Sequence, residues 1–333
     1  SAALEAQDYG PTILAACWVL VVFPGLMVGV RLWCKGMISK SLGLDDMIIC
    51  LAWSLLLIYT ALITKAVQLG VVGRHVSTIE NTENISPALK LVYISFVVVI
   101  FGCVFSKTSF AFTLMRIVTR AWMKALLWFI IISMNAIMWL CGICYLAQCK
   151  PAAALWNSEL LATAKCWPTS VFETIALVAG SYSGCMDFIL ALLPWVVLWK
   201  LEMKMREKVG IALAMSMGIF AAVTAFIKTS KLVNVSQVQD FTWFCSTIII
   251  WASAETGLTI FAASIPSLRI LFIRMRSNYG ESGEPSSTYN YSADEETITL
   301  ENRKETSSEK SILDNPMNKP DGVTATYDGN SHA

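Results

Sequence analysis

The stretch that decides the fold is Ala125–Cys149, ALLWFIIISMNAIMWLCGICYLAQC, which contains no Asp, Glu, Lys, Arg or His. A helix needs roughly 20 predominantly apolar residues to cross the hydrocarbon core of a bilayer. This segment meets that length and is apolar on every side. A soluble bundle would instead show polar stripes at helical spacing. Working outward, six more segments reach the same length, giving seven near 11–33, 46–69, 88–115, 122–148, 170–199, 209–230 and 242–268. The expected fold is an all-α polytopic membrane protein, a seven-transmembrane helix bundle. The first span is too long for a cleaved signal peptide and has Arg31 and Lys35 after it rather than before it. Pro24 and Pro194 are expected to kink or break their helices, and Pro266 to mark the end of the seventh.

Composition agrees with a membrane body carrying a polar tail. Of the 333 residues, 56% are apolar and 15% charged, against about a quarter charged in soluble proteins; mean hydropathy is +0.59. Residues 1–276 hold 21 Lys/Arg and 13 Asp/Glu, whereas residues 277–333 hold 4 and 11. Three regions follow: a short N-terminus over 1–10, the membrane domain over 11–276, and an acidic Ser/Thr-rich tail over 277–333. The tail has too little apolar surface to offset its ordering entropy and is expected to be disordered. Ser307, Ser308 and Ser311 lie beside acidic residues, as phosphate acceptors or as part of a solubilising tail. Basic residues are scattered singly between apolar runs and form no stripe, which disfavours a nucleic-acid partner. With only His75 and His332, a multi-histidine metal site is excluded.

Orientation follows from the basic residues flanking the spans. Loops after spans one, three and five, with the stretch after span seven, carry 13 Lys/Arg; the opposite face carries 7. The N-terminus is therefore expected outside and the tail in the cytoplasm, with the plasma membrane as location. The sequons at Asn84 and Asn234 fall on the outer face as possible glycosylation sites. Cys149 and Cys166 lie on that face too, where an oxidising compartment would let them pair; two unpaired thiols are the alternative. The other eight cysteines read as small apolar residues in or beside spans. Cys141 and Cys144 have redox spacing but lie inside an apolar helix, and Cys34 is a weak palmitoylation candidate.

Charges inside the spans are the informative residues, because an ionised group at mid-bilayer costs about 2.5–3.5 kcal/mol or more and must find a partner. Lys107, Asp187 and Glu255 interrupt spans three, five and seven. One cation facing two anions suggests an interior network. It would carry net negative charge unless one carboxyl is protonated. Three roles are open to it: a polar clamp, a conformational switch or ligand-pocket floor, or a step in ion translocation. No chain of Asp, Glu and His runs from face to face to support the last. Asp45 and Asp46 open span two, near Arg31, Lys35 and Lys40. They read as an electrostatic clasp at a helix N-terminus rather than a metal or catalytic pair, since adjacent helical residues diverge by about 100°. An aromatic-rich outer half (Tyr59, Tyr93, Phe96, Phe172, Tyr182, Trp243, Phe244) leaves room for an apolar ligand pocket.

Several short motifs then fall in a familiar order. These are Gly43-Leu44-Asp45-Asp46, Gly73-Arg74-His75, Lys107-Thr108-Ser109 with Leu114-Met115-Arg116-Ile117, and Gln148-Cys149-Lys150-Pro151 with Trp156 and Cys166. Asp187 with Leu193-Pro194 and Trp199 follows, then Asp240, Trp251, Glu255 and Ile265-Pro266-Ser267-Leu268-Arg269. Over about residues 10–276 the chain resembles the fungal rhodopsin-like seven-helix membrane proteins. That family includes receptor-like proteins linked to plant infection and integral membrane proteins of the satratoxin-cluster type. Two positions depart from the family pattern: Ser183 stands where Asn is usual, and Lys228 stands for the usual Arg near the outer end of helix six. The cysteine-rich outer domain of the larger infection-related members is absent from the sequence. A retinal Schiff base needs a lysine on helix seven, and span seven offers Glu255 and no lysine, so no cofactor is expected.

The outward N-terminus, the charges inside the spans and the Ser/Thr-rich tail point to a GPCR-like membrane protein that senses a small apolar or amphipathic molecule from outside. A cytoplasmic signalling partner would be reached through the basic loops and tail. The alternative is a membrane-embedded enzyme or accessory protein of a secondary-metabolite pathway, with Asp45, Asp46, Asp187 or Glu255 supplying acid–base chemistry. An enzyme is the less favoured of the two, and no catalytic residue is assigned.

Overall fold

A computed structural model describes the backbone over residues 8–39, 43–74, 82–116, 118, 120–157, 160, 163–198, 205–232 and 241–280. Seven long helices lie among the described residues: α1 (Gly10–Cys34), α2 (Leu44–Gln68), α3 (Ile85–Met115), α4 (Ala121–Leu146), α5 (Thr169–Leu198), α6 (Met205–Leu232) and α7 (Phe241–Gly280). In lipid, a backbone must satisfy its own hydrogen bonds, and a continuous helix does this within one segment. Among the described residues, six of the seven are long and apolar enough to cross a membrane: α1 to α5 and α7. Side chains of α6 are described from 215 to 231, and α6 does not add a seventh to that set. The tail beyond 280, where Ser307, Ser308 and Ser311 fall, lies outside the described residues, as do Lys40, His75, Asn234 and Asp240.

Local chemistry sets the helix ends. Pro11 opens α1 at a position where a missing N–H costs nothing. Asp45 and Asp46 occupy the first turn of α2, and Asp46 accepts the Gly43 N–H at 3.0 Å, complementing the helix dipole. Between α4 and α5 the chain forms a short antiparallel ladder, β1 (Cys149–Lys150) with β2 (Lys165–Cys166), and Cys149 opposes Cys166. The two cysteines form a disulfide.

Pro24 does not break its helix, and Pro266 does not end its own. Pro24 is buried inside one continuous α1. A proline leaves the carbonyl four residues earlier without its helical donor. Here Trp53 Nε1 donates to the neighbouring Val21 carbonyl at 3.1 Å, which secures the weakened turn. Gly257 of α7 packs against that turn so closely that a Cβ would lie 2.7 Å from the Leu20 carbonyl oxygen. Pro266 does not end α7, which runs through it to Gly280. Pro194 lies within the helical span of α5.

Adjacent helices pack α1 on α2, α2 on α3, α3 on α4, α4 on α5 and α5 on α6. The main apolar core gathers residues such as Ile13, Leu56, Tyr59, Leu127 and Ile260. Between α5 and α6, glycines of each helix receive side chains of the other. Gly180 faces Thr229, Gly184 faces the Phe226 ring, and Gly218 faces Ala191. Gly180 and Gly184 are one helical turn apart, the small-xxx-small spacing that lets membrane helices approach closely.

Candidate functional site

Lys107 projects from α3 into the centre of the helices, 2% exposed. Its ammonium donates to Asp187 Oδ2 and Glu255 Oε1, each at 2.7 Å, and to the Ser183 hydroxyl. Three donors therefore meet three acceptors, supplied by α5 and α7. Ser183 and Asp187 sit one turn apart on α5 and so reach the same ammonium. The Ser183 hydroxyl also lies 3.0 Å from Glu255 Oε1 as a donor, and the Cys103 thiol donates to the same oxygen at 3.4 Å. The structure thus gathers Lys107, Asp187 and Glu255 at one point.

A fourth charge, not joined to this group in the sequence reading, completes it. Lys228 of α6 donates to Glu255 Oε2. The expected negative excess is corrected by this contact: two ammonium groups face two carboxylates. Charge balance matters here, because an unpaired ion in a low-dielectric interior costs several kcal/mol. Lys228 lies inside the apolar run 209–230, as Lys107 lies inside 88–115, so the rule that a charge within a span seeks a partner applied to it equally. Its place near the end of the run had put it among the loop charges. Ser183 had been noted only as the place where Asn is usual.

A second ionic cluster lies at the opposite end of the helices from the disulfide ladder. Arg31 of α1 is fully buried. It donates to Asp46 Oδ1 at 2.9 Å, to Asp45 Oδ2 at 2.5 Å, to Thr113 Oγ1 of α3 at 3.2 Å and to the Ala263 carbonyl of α7. Lys35 bonds Asp45 Oδ2 at 2.9 Å and Asp46 Oδ1 at 2.7 Å. Arg116, at the end of α3, pairs with Asp45 Oδ1 at 2.5 Å, and Ser109 Oγ donates to the Asp45 carbonyl at 2.9 Å. The argument that adjacent carboxylates diverge is corrected for this pair. Both converge on Arg31 and Lys35, because the cations come from α1 and the turn after it and reach between the two side chains. Among the described residues no group of His, Cys, Asp and Glu is arranged to hold a metal.

At the disulfide end, Tyr93 stacks on Tyr145 with ring centroids 4.5 Å apart, and Phe172 and Trp156 flank them at 5.2 Å and 5.7 Å. Lys90 Nζ lies 5.8 Å from the Trp156 ring centroid. The N-terminal segment is tied to the same end. Tyr9 N–H donates to the Gly73 carbonyl at 3.0 Å, and Arg74 pairs with Asp8 at 3.0 Å. Gly73 has φ +93°, and a Cβ there would lie 2.7 Å from the Gly10 nitrogen, so glycine is required on both counts. Asn84 ends a short 3-10 turn, Thr82–Asn84, just before α3.

The fungal rhodopsin domain family matches residues 30–274. The chain belongs to that family and is an integral membrane protein. One relative, "Fugralins biosynthesis cluster protein 2" of Gibberella zeae, is 26% identical over 121 residues, covering 36% of this chain and 29% of that protein. Another, "SAT4 family membrane protein" of Emericella nidulans, is 24% identical over 150 residues, covering 42% and 36%. The matches thus span about a third of the length of each relative. No solved structure matches the chain.

Proposed function

We propose that this chain is a GPCR-like receptor of the plasma membrane, without retinal, that senses a small extracellular molecule. In this reading all seven helices cross the bilayer, the N-terminus and the Cys149–Cys166 ladder face outward, and the tail is cytoplasmic. The single observation that carries the proposal is the buried ionic network, which joins α3, α5, α6 and α7 through two carboxylates and two ammonium groups. Such a network is costly to assemble in hydrocarbon and has two arrangements, closed and separated, that a ligand at the outer end can bias. The cluster of Arg31, Lys35, Asp45, Asp46 and Arg116 ties the other ends of α1, α2 and α3 to Ala263 within α7, where a cytoplasmic partner would read the change. Pro194, two turns beyond Asp187 on α5, is the proposed point of bending. Deleting the gene and profiling transcripts and metabolites together tests the reading. Loss of a transcriptional response, restored by the parent and not by a folded Lys107→Ala variant, is expected. Full restoration by that variant would overturn it.

The name of the Gibberella zeae relative favours a second reading, a membrane-embedded enzyme or accessory protein of a biosynthetic cluster. Accumulation of one intermediate in the deletion strain, consumed by the purified protein in lipid, would select it.

A further inference from the structure

The four charges of the network are not equally occupied. Lys107 is 2% exposed and its three N–H donors meet three acceptors. Lys228 has the same three donors but, among the described residues, a single partner, Glu255 Oε2, and its side chain is 22% exposed. An ammonium carries three protons and no acceptor, so two remain for another group.

The direction of that exposure follows from the helix. Lys228 is seven residues from Ala221 and four from Thr224, and Ala221, Thr224 and Ala225 are all buried. Phe220 and Val223 are exposed on the other side of α6, and the half-exposed Phe226 ring packs on Gly184 of α5. Lys228 therefore belongs to the inward stripe. Its height follows too, because Gly180 of α5 packs against Thr229. α5 begins at the disulfide ladder, so Lys228 sits at the ladder end of the network. The aromatic group lies on that same side. Cys103 bonds Glu255 and clusters with Cys141, and Tyr145 is one turn beyond Cys141 toward the ladder.

We propose that Lys228 is the anchor of a ligand site for a small aromatic or amphipathic carboxylate. The carboxylate takes the two remaining ammonium protons of Lys228, while Glu255 keeps the third. The apolar body lies toward the ladder, against the rings of Tyr93, Tyr145, Phe172 and Trp156. A cation fits this place better than a neutral donor, because charge-assisted bonds in a dry interior are about twice as strong as neutral ones. An amine-bearing ligand would be repelled by the same group. This inference rests on the receptor reading for its purpose, but its site is defined by Lys228 alone.

The test uses the full chain in lipid nanodiscs with three probes of one shape: hydrocinnamate, hydrocinnamyl alcohol and hydrocinnamyl amine. At a hundredfold excess over Kd, hydrocinnamate is expected to raise Tm by about 5 °C, and the alcohol and amine are not. Lys228→Met should weaken hydrocinnamate binding roughly tenfold to a hundredfold, and Lys228→Arg should retain it. The paired variant Lys228→Met/Glu255→Gln, which buries no orphan charge, guards against simple misfolding and should also lose binding. Equal responses to all three probes, no response to hydrocinnamate, or undiminished binding by the folded paired variant would each overturn the site. Binding that depends on Lys228 in a protein whose deletion leaves transcripts unchanged would instead refute the receptor reading and leave the site standing.

Discussion

Replacing Lys107 with methionine removes an ammonium and keeps an unbranched side chain of similar length. Glu255 would still have Lys228, Ser183 and Cys103. Asp187 would not, since its described ion pair and hydrogen bond are to Lys107 alone. A carboxylate 3% exposed would then be left without a counter-charge. Breaking a buried pair from one side costs about 3–5 kcal/mol. At about 2–3 °C per kcal/mol for a domain of this size, Tm should fall by about 6–15 °C. The double variant Lys107→Met/Asp187→Asn removes the orphan charge and leaves Lys228 balanced against Glu255, so it should recover more than half of the loss. Thermal unfolding in nanodiscs, followed by intrinsic tryptophan fluorescence, measures both. A single variant within 2 °C of the parent, or a double variant no more stable than the single, would refute the reasoning.

Other outcomes follow from the same geometry. Arg31→Gln removes charge from a fully buried guanidinium that bonds α2, α3 and α7, and should cost about 3–5 kcal/mol by the same unfolding measurement; Arg116→Gln, whose side chain is 51% exposed, should cost under about 1 kcal/mol. Reducing the Cys149–Cys166 bond, which spans a sequence separation of 17, should lower stability by about 3 kcal/mol in the chain-entropy account. An unchanged Tm after reduction would show that the ladder holds the loop without it. Gly257→Leu should force α1 and α7 apart at the Leu20 carbonyl and cost about 1–3 kcal/mol, whereas a leucine at Gly29, which has open space, should be tolerated in the same assay.

What could be read from residues alone divides along physical lines. Uncharged runs such as Ala125–Cys149 specify helices because a helix satisfies its own backbone hydrogen bonds in lipid, and the observed helices fall within a few residues of the expected spans except at the end of α7, which runs on to Gly280. Neither Pro24 nor Pro266 interrupts its helix, because whether proline breaks a helix depends on groups elsewhere; near Pro24 the Trp53 indole bonds the adjacent turn. Lys107, Asp187 and Glu255 stood out as isolated charges in apolar runs. Lys228 was equally isolated, but its nearness to Lys231 and to the end of the span made it resemble a loop residue. The convergence of Asp45 and Asp46 was hidden because it depends on Arg31 and Lys35 entering from α1 and the turn after it, and helical spacing within α2 carries no trace of them.

The glycine seam between α5 and α6 has a consequence for how the central charges can part. Helices α5 and α6 meet closely at Gly180–Thr229, Gly184–Phe226 and Gly218–Ala191, and packing this tight favours movement of the two as one body. That body carries one carboxylate, Asp187, and one ammonium, Lys228. What stays behind on α3 and α7 is again one of each, Lys107 and Glu255, still joined at 2.7 Å. Parting the two slabs leaves no net charge on either, so the cost of rearrangement inside a membrane lies in the contacts that bridge them, Lys107–Asp187, Lys228–Glu255 and the Ser183 hydrogen bonds.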